Sequence, residues 1–445
     1  MKFKAIFLFV VICFILLLVY SPILNWFFAR DDFGFLPHLP TTFTNISAIL
    51  TPSRYWFFRP LSQQFYFWLN SVIWGLNPLG FRLVGITMLA LNTTLVYKLI
   101  RRFSNNYAAL FGAIFYGLNT IHLFEIGWIA ANYQTMSTLL FLLTLLLATS
   151  ARSKFRLLSF VTLILAFLCS EMSIFIAPTI FIYHTICSGG LPRRQAGIYD
   201  AKLTTTIRRA FLKTLPFILL TIAYLAFYFW YVKLPGGNVY GRYFDPISIL
   251  KTLGKYVLYP FVAGFDRNNS FGIVNLLLAS KILIIVTTTL LAFKNKLLDK
   301  KMILFGVSLF IVTVSIFTLL GNHTFAYLDA IPTIGITMMI ATAFKALTTN
   351  KRLLKITLAT FLVVSFATLM LAQTTDPDLK WLNDHQQAAK TYLQSFKLPE
   401  NNIVKLDKND TNLMEATYFG NSLEVWYKDQ ILKVILETGP VASNN

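Results

Sequence analysis

The chain has 445 residues, of which 56% are hydrophobic, 16% aromatic and only 13% charged, against about a quarter charged in an average soluble domain. Its 39 Lys and Arg outnumber 19 Asp and Glu for a net charge of +20, yet no basic patch is interleaved with stacking aromatics, which argues against nucleic acid as a partner. This balance excludes an ordinary soluble enzyme and fits an all-α polytopic membrane protein.

Apolar runs of about 20 residues, each able to cross the hydrocarbon as a helix, predict about eleven transmembrane helices. They fall near residues 5–28, 81–100, 107–122, 132–150, 156–170, 172–187, 211–232, 273–293, 302–320, 331–347 and 353–373. Basic residues resist translocation. Lys2 and Lys4, the Lys98–Arg102 group, the Arg152–Arg156 group, and the clusters at 193–213, 294–301 and 345–355 all fall on one side of this span order. The prediction is therefore an N-in, C-out protein of the plasma membrane with its working face outside. The first run is longer than a cleavable signal core of about 7–15 residues and is expected to be a retained anchor. Cys13, Cys169 and Cys187 all lie inside predicted spans, with no metal spacing and no disulfide framework.

The acidic residues are more selective. Asp31, Asp32, Glu125, Glu171, Asp245, Asp266 and Asp329 are all assigned to the outer face, and only Asp200 and Asp299 to the cytoplasmic one. Orientation rules scarcely involve acids, so a shared outer site is one explanation; simple tolerance of acids in outer loops is the other. Asp31 and Asp32 directly follow the first apolar run, and a carboxylate inside hydrocarbon costs roughly 2.5–3.5 kcal/mol, so acids close to it tend to be functional.

The first outer loop, about 30–80, carries RDDFGFL, then TFTNISAILTPSRYWFF and RPLSQQFYFWLNSVIWGLNPLGF. Few charges among many aromatics suggest helices lying in the interface, with Arg59 near the headgroups. The next outer turn reads NTIHLFEIGWIAANYQT, where His122 and Glu125 share a helical face at i, i+3. Glu171 lies at the junction of the fifth and sixth spans in CSEMSIFIAP, where Ser170 can cap the following helix and Glu171 suits its dipole. The loop at 233–272 holds PGGNVYGRYFDP, with Arg242, and then an amphipathic stretch ending near Arg267; it reads either as a lid over a lipid-sugar site or as a solvated connector with an interfacial helix. Lys281 interrupts the eighth span and either snorkels or lines a cavity.

Beyond residue 375 the composition turns acidic. Residues 376–445 hold ten acids and seven basic residues, and a helical stretch, a strand-like NIVKL and the amphipathic SLEVWYKDQILKVI predict a small extracytoplasmic α/β appendage. The expected division is a transmembrane domain over 1–375 and this appendage over 376–445, too small to bury more than a modest core of its own.

Taken in order, the acid pair after the first span, the RPL segment leading into GLNPLGF, the HLFEIGWI turn and the Ser-Glu before the sixth span resemble the GT-C glycosyltransferases. The order is most similar to the protein O-mannosyltransferase branch, particularly the membrane part of the tetratricopeptide-containing mannosyltransferases and their bacterial relatives. The resemblance covers roughly residues 1–190. Where such relatives often carry Lys-Glu, this chain has Ser170-Glu171; NHTFAYLDAIPTIG matches the family's Arg-Tyr turn only loosely, and no tetratricopeptide repeats follow.

The resemblance implies transfer of a sugar from a polyprenyl-phosphate carrier to an extracytoplasmic acceptor hydroxyl on a protein, glycan or lipid. Asp31 or Asp32 would be the general base. Arg59, with Arg242 or Arg267, would steady the phosphate through the planar guanidinium fork, and His122, Glu125 and Glu171 would complete substrate binding. The resembled branch generally works without metal, so no cofactor is expected, although the carboxylates offer oxygen ligands of the kind Mg²⁺ or Mn²⁺ takes. A lipid or glycan transporter and a non-catalytic membrane scaffold stay open as alternatives.

Overall fold

The computed structural model describes residues 2–36, 57–188, 199–232, 244–321, 323–407, 409–427 and 433–437. The chain opens with α1 (Lys2–Val19), which ends where Ser21-Pro22 begins a single 3₁₀ turn; proline cannot donate the next helical hydrogen bond, so the first helix is shorter than the apolar run around it. A five-residue helix α2 (Asp31–Phe35) follows. Pro60–Phe65 forms a π-turn that leads into α3 (Tyr66–Trp74). The bundle continues with α4 (Pro78–Arg101), α5 (Asn106–Gly117), the short α6 (Leu123–Gly127), α7 (Asn132–Ala148), α8 (Ser153–Phe167) and α9 (Ile176–Ser188). Then come α10 (Tyr199–Tyr231), α11 (Pro246–Val262), α12 (Ile273–Lys294), α13 (Lys300–Val314), α14 (Pro332–Ala343) and α15 (Lys351–Thr375).

Side-chain caps start many of these helices, each satisfying a backbone N–H that has no intrahelical acceptor. Asn77, Asn105, Asp299 and Asn350 accept from the first turns of α4, α5, α13 and α15. Among the described residues six helical segments are long and apolar enough to cross a membrane: Pro78–Arg101, Asn106–Gly127, Ile129–Ala148, Thr204–Tyr231, Ile273–Lys294 and Lys351–Thr375. The other expected spans fall on α1, α8, α9, α13 and α14, which are shorter.

Neighbouring helices pack as pairs, α4 on α5, α7 on α8, α9 on α10 and α13 on α14. The last pair has its backbones in near contact: a Cβ on Gly306 would lie 2.6 Å from the Gly335 carbonyl oxygen, and one on Gly335 would lie 2.4 Å from that of Gly306. Small residues at such crossings are what permits close approach where lipid supplies no hydrophobic drive. Outward faces of α10 and α12 are apolar and exposed, with Leu219, Ile222, Phe229, Leu283 and Leu290 among them. The amphipathic α11 likewise presents Ile247, Leu250 and Leu258 outward, in keeping with a helix lying in the interface.

Asp376 caps the helix that follows α15, accepting from Leu379 N–H, and Pro377 occupies its first position. That helix is α16 (Pro377–Ser395), followed by β1 (Ile403–Asp407), α17 (Thr411–Ala416), α18 (Asn421–Trp426) and β2 (Lys433–Glu437). The two strands pair in parallel, Ile403 opposite Lys433 through Asp407 opposite Glu437, which requires the crossover that α17 and α18 supply. This appendage does not stand apart. Its Ala389, Leu393, Val404, Leu406 and Leu423 share one apolar cluster with Phe28, Phe33, Phe35, Phe67 and Phe81 from the segment between α1 and the early turns of α4. Too little apolar surface for a separate core is thereby pooled with the aromatics around Asp31 and Asp32.

Candidate functional site

The segment between α1 and α2 is held in place by Arg82, which is fully buried on the first turns of α4. Its guanidinium donates to the carbonyl of Trp26, to Phe27 O at 3.0 Å and to Gly127 O at 3.1 Å. A buried cation is costly unless hydrogen-bonded, and here both terminal nitrogens of the guanidinium donate to carbonyls, two of them in the chain that leads to the acid pair. Arg30 then takes φ 54°, ψ −127°, a conformation rarely adopted by a residue with a Cβ, and α2 begins at Asp31.

The two aspartates part company at once. Asp32 is fully buried and saturated by backbone: Oδ1 accepts from Ala130 N–H at 2.7 Å and Oδ2 from Ala29 N–H at 3.1 Å. Burial pushes its carboxyl up to about 7 against the opposing pull of those N–H groups and of Arg82. Asp31 borders a cavity of about 330 Å³. Burial raises its carboxyl to about 6, with Arg30 pulling the other way. At neutral pH that group is an ionised base, yet a more basic one than an ordinary carboxylate.

Arg59 borders the same cavity. Its Nε donates to Glu171 Oε2 at 2.9 Å and Nη2 donates to Glu171 Oε1, the two-pronged geometry peculiar to guanidinium and carboxylate. The plane of the guanidinium is further set by the Tyr133 ring, 4.0 Å away, and the Phe57 ring, 4.4 Å away, contacts worth about 0.5–2 kcal/mol each. Glu171 is itself placed by the turn foreseen in the sequence, since Ser170 Oγ accepts from Met172 N–H. Gln63, Trp128, Gln134, His323, Tyr327 and Tyr418 complete the cavity wall. His323 is held below its usual range, first by burial and then by Arg59.

The other expected residues lie elsewhere. His122 Nδ1 lies 3.3 Å from Glu125 Oε2, which also accepts from Thr135 Oγ1 at 2.8 Å. The pair is fully buried beside Tyr116 and lines neither this cavity nor the next. Arg267 borders a second cavity of about 600 Å³ with Lys255, Tyr259, Asp376 and Asp378, and Tyr327 belongs to the walls of both. Arg59 and Arg267 therefore face separate spaces and do not form a single clamp. Arg242 lies outside the described residues, as do the glycine-rich part of its loop and the stretch 37–56. Asp245 and Asp266 are spent on backbone, accepting from Ser248 and from Asn268 and Asn269. Asp329 is buried and bonded by Thr333. Of the seven acids assigned to the outer face, only Asp31 and Glu171 border the first cavity. Lys281 is buried within α12. Among the described residues no three His, Cys, Asp or Glu come together as metal ligands.

Sequence reading missed Arg82, Tyr133 and Tyr418. A lone arginine in the first turns of an apolar helix was a usable signal for Arg82, and Tyr133 sits in the ANYQT turn beside Glu125. Tyr418 carried no signal, because only the docking of the appendage brings it to the cavity.

No family model and no curated protein matches this chain. Among solved structures it is similar to ArnT from Cupriavidus metallidurans bound to undecaprenyl phosphate, with TM-score 0.49 and 12% identity over 96% of this chain and 89% of that one. The apo state of the same protein gives TM-score 0.49 and 13% identity over 97% and 90%. Both scores fall short of 0.5, so the reading of the site rests on this chain's own residues.

Proposed function

We propose that this chain is a membrane glycosyltransferase of the GT-C type, moving a sugar from a polyprenyl-phosphate carrier to an acceptor hydroxyl on the outer face of the plasma membrane. The observation that carries the proposal is the juxtaposition of chemistry in one cavity: a carboxylate of raised basicity, Asp31, and a cation fixed in orientation, Arg59, border the same 330 Å³ space. Transfer from a lipid phosphate needs both. The acceptor hydroxyl must lose its proton as it attacks the anomeric carbon, and the bond from that carbon to the phosphate oxygen must break with its electron pair, leaving negative charge on the lipid phosphate.

Asp31 is the base in this reading. Asp32 is not, because both of its oxygens are engaged by backbone N–H groups and it never reaches the cavity wall; it anchors the loop that presents its neighbour. Arg59 stabilises the departing phosphate, and Glu171, bonded to its Nε and Nη2, keeps the guanidinium plane aligned. Preorganised charge of this kind contributes most when water is excluded, and Phe35, Phe57, Trp128, Phe317 and Leu320 make part of the wall apolar. Protein Ser or Thr hydroxyls are the leading acceptor from the mannosyltransferase-like order of motifs, with an envelope glycan or lipid next.

The test is turnover. Membranes carrying the wild type, Asp31→Asn or Asp32→Asn are supplied with radiolabelled polyprenyl-phosphate sugar. Loss of transfer on Asp31→Asn supports the reading; equal transfer by wild type and Asp31→Asn rejects it.

A further inference from the structure

The acid that serves as base is presented by a residue in an unfavourable backbone conformation, and three contacts from the C-terminal appendage meet at that residue. Arg30, at φ 54°, donates its backbone N–H to Ala416 O at 3.1 Å. Its Nη1 pairs with Glu415 Oε2. Its guanidinium carbon lies 4.5 Å from the centre of the Trp381 ring. The same oxygen of Glu415 is 3.5 Å from His385 Nε2, and His385 Nδ1 donates to Trp381 O at 2.8 Å. Trp381 and His385 belong to α16, whereas Glu415 and Ala416 belong to α17. Two separate elements of the appendage thus close around one side chain of the outer loop, and Tyr418, two residues past Ala416, forms part of the wall of the cavity that Asp31 borders.

We infer that the appendage is a working part of the catalytic site: Glu415 is a positioning residue that, through Arg30, holds Asp31 in its reactive placement. This rests on Asp31 being the base. The physical ground is geometric. Non-glycine residues in sparsely populated backbone regions persist only where the surroundings over-determine them, and the residue in question directly precedes the base. The Arg30–Glu415 pair is partly exposed, with side chains 24% and 46% accessible, and pairs of that kind contribute little to global stability. Its conformational effect is local. When Glu415 no longer orients Arg30, residue 30 relaxes toward an ordinary conformation, the first turn of α2 rotates with it, and the Asp31 carboxylate leaves its line to the acceptor hydroxyl. Small displacements of a catalytic group cost orders of magnitude in rate. The phosphate end of the cavity, built on Arg59, Glu171 and Tyr133, belongs to other elements and stays as it was.

The test uses the full chain reconstituted in vesicles, with rates expressed per folded enzyme, polyprenyl-phosphate sugar as donor and its kcat and KM measured separately. Glu415→Ala is expected to lower kcat about tenfold or more while KM for the lipid donor changes less than twofold. Glu415→Gln, which keeps an oxygen to accept from Arg30, recovers most of that loss. A merely structural role predicts otherwise: less folded protein, with kcat per folded enzyme unchanged. Asp31→Asn is run alongside to separate two failures. If Asp31→Asn loses transfer but Glu415→Ala keeps the wild-type kcat, the inference about the appendage is overturned while the base stands. If neither variant changes kcat, the assignment of the base is overturned and the inference goes with it.

Discussion

Replacing Asp31 by Asn removes the proposed base while nearly preserving its shape, so the consequence is calculable from the site. General-base catalysis contributes about 10²–10⁴ in rate, or about 2.7–5.5 kcal/mol at 1.36 kcal/mol per tenfold, and kcat should fall by that factor while Arg59 continues to bind the phosphate with little change in KM. The pH profile adds a sharper number. Burial lifts the Asp31 carboxyl to about 6, so the acidic limb of kcat/KM should have its midpoint near pH 6, and at pH 5 the ionised fraction drops to about one tenth. An unburied aspartate would place that limb near pH 4. The residual activity of Asp31→Asn should lack the limb altogether. The assay is initial-rate transfer of labelled sugar between pH 4.5 and 8.5 in vesicles whose lipids do not titrate in that window. A limb near pH 4 in the wild type, or the same limb surviving in Asp31→Asn, refutes the assignment.

Stability should move the opposite way. Because the folded state raises the Asp31 pKa, the contribution of that carboxyl is fully present below about pH 4 and is lost as pH rises through about 6. Asn stays neutral throughout, so thermal midpoints of the two proteins should coincide near pH 4 and the variant should be the more stable above pH 7; a variant that is less stable at pH 8 contradicts this. Arg59→Lys keeps the charge but loses the fork and the stacking on Tyr133 and Phe57. A charge-assisted hydrogen bond is worth about 1.5–3 kcal/mol, so KM for the lipid donor should rise roughly tenfold to a hundredfold, and an unchanged KM would remove Arg59 from phosphate binding. Arg82→Met orphans the carbonyls of Trp26 and Phe27, since Gly127 O retains the Gln386 donor at 3.1 Å. At about 1–3 kcal/mol for each buried acceptor left unpaired, unfolding in detergent should be easier by about 2–6 kcal/mol, and a loss below 1 kcal/mol would show that water replaces the guanidinium.

The mostly helical character could be read in advance because helix-length apolar runs are a local property, although among the described residues only six helical segments are long and apolar enough to cross a membrane. Boundaries were less legible. The first helix stops at Val19 because Pro22 follows, although the apolar run continues. The candidate residues were legible one by one but not as an arrangement. Asp31, Arg59 and Glu171 each stood out as charge beside hydrocarbon, yet the pairing of Arg59 with Glu171 joins positions 112 residues apart. The different surroundings of the two aspartates owe much to the Ala130 N–H, 98 residues from Asp32. Adjacent acids point different ways on a helix, but which of them meets a cavity is decided by distant backbone. His122 and Glu125 were rightly expected to meet on one helical turn, but that local rule carries no information on which way the turn faces, and it faces the interior. Arg30, Glu415 and Tyr418 come together only through the docking of α16 and α17, for which no short-range pattern exists.

The most direct test of the central claim, that one cavity holds the lipid phosphate and the base together, is an experimental structure of Asp31→Asn with a polyprenyl phosphate bound. The phosphate should lie within hydrogen-bond distance of the Arg59 guanidinium and share the cavity with the side chain at position 31. A phosphate seated instead in the second cavity, on Lys255 and Arg267, would contradict the account.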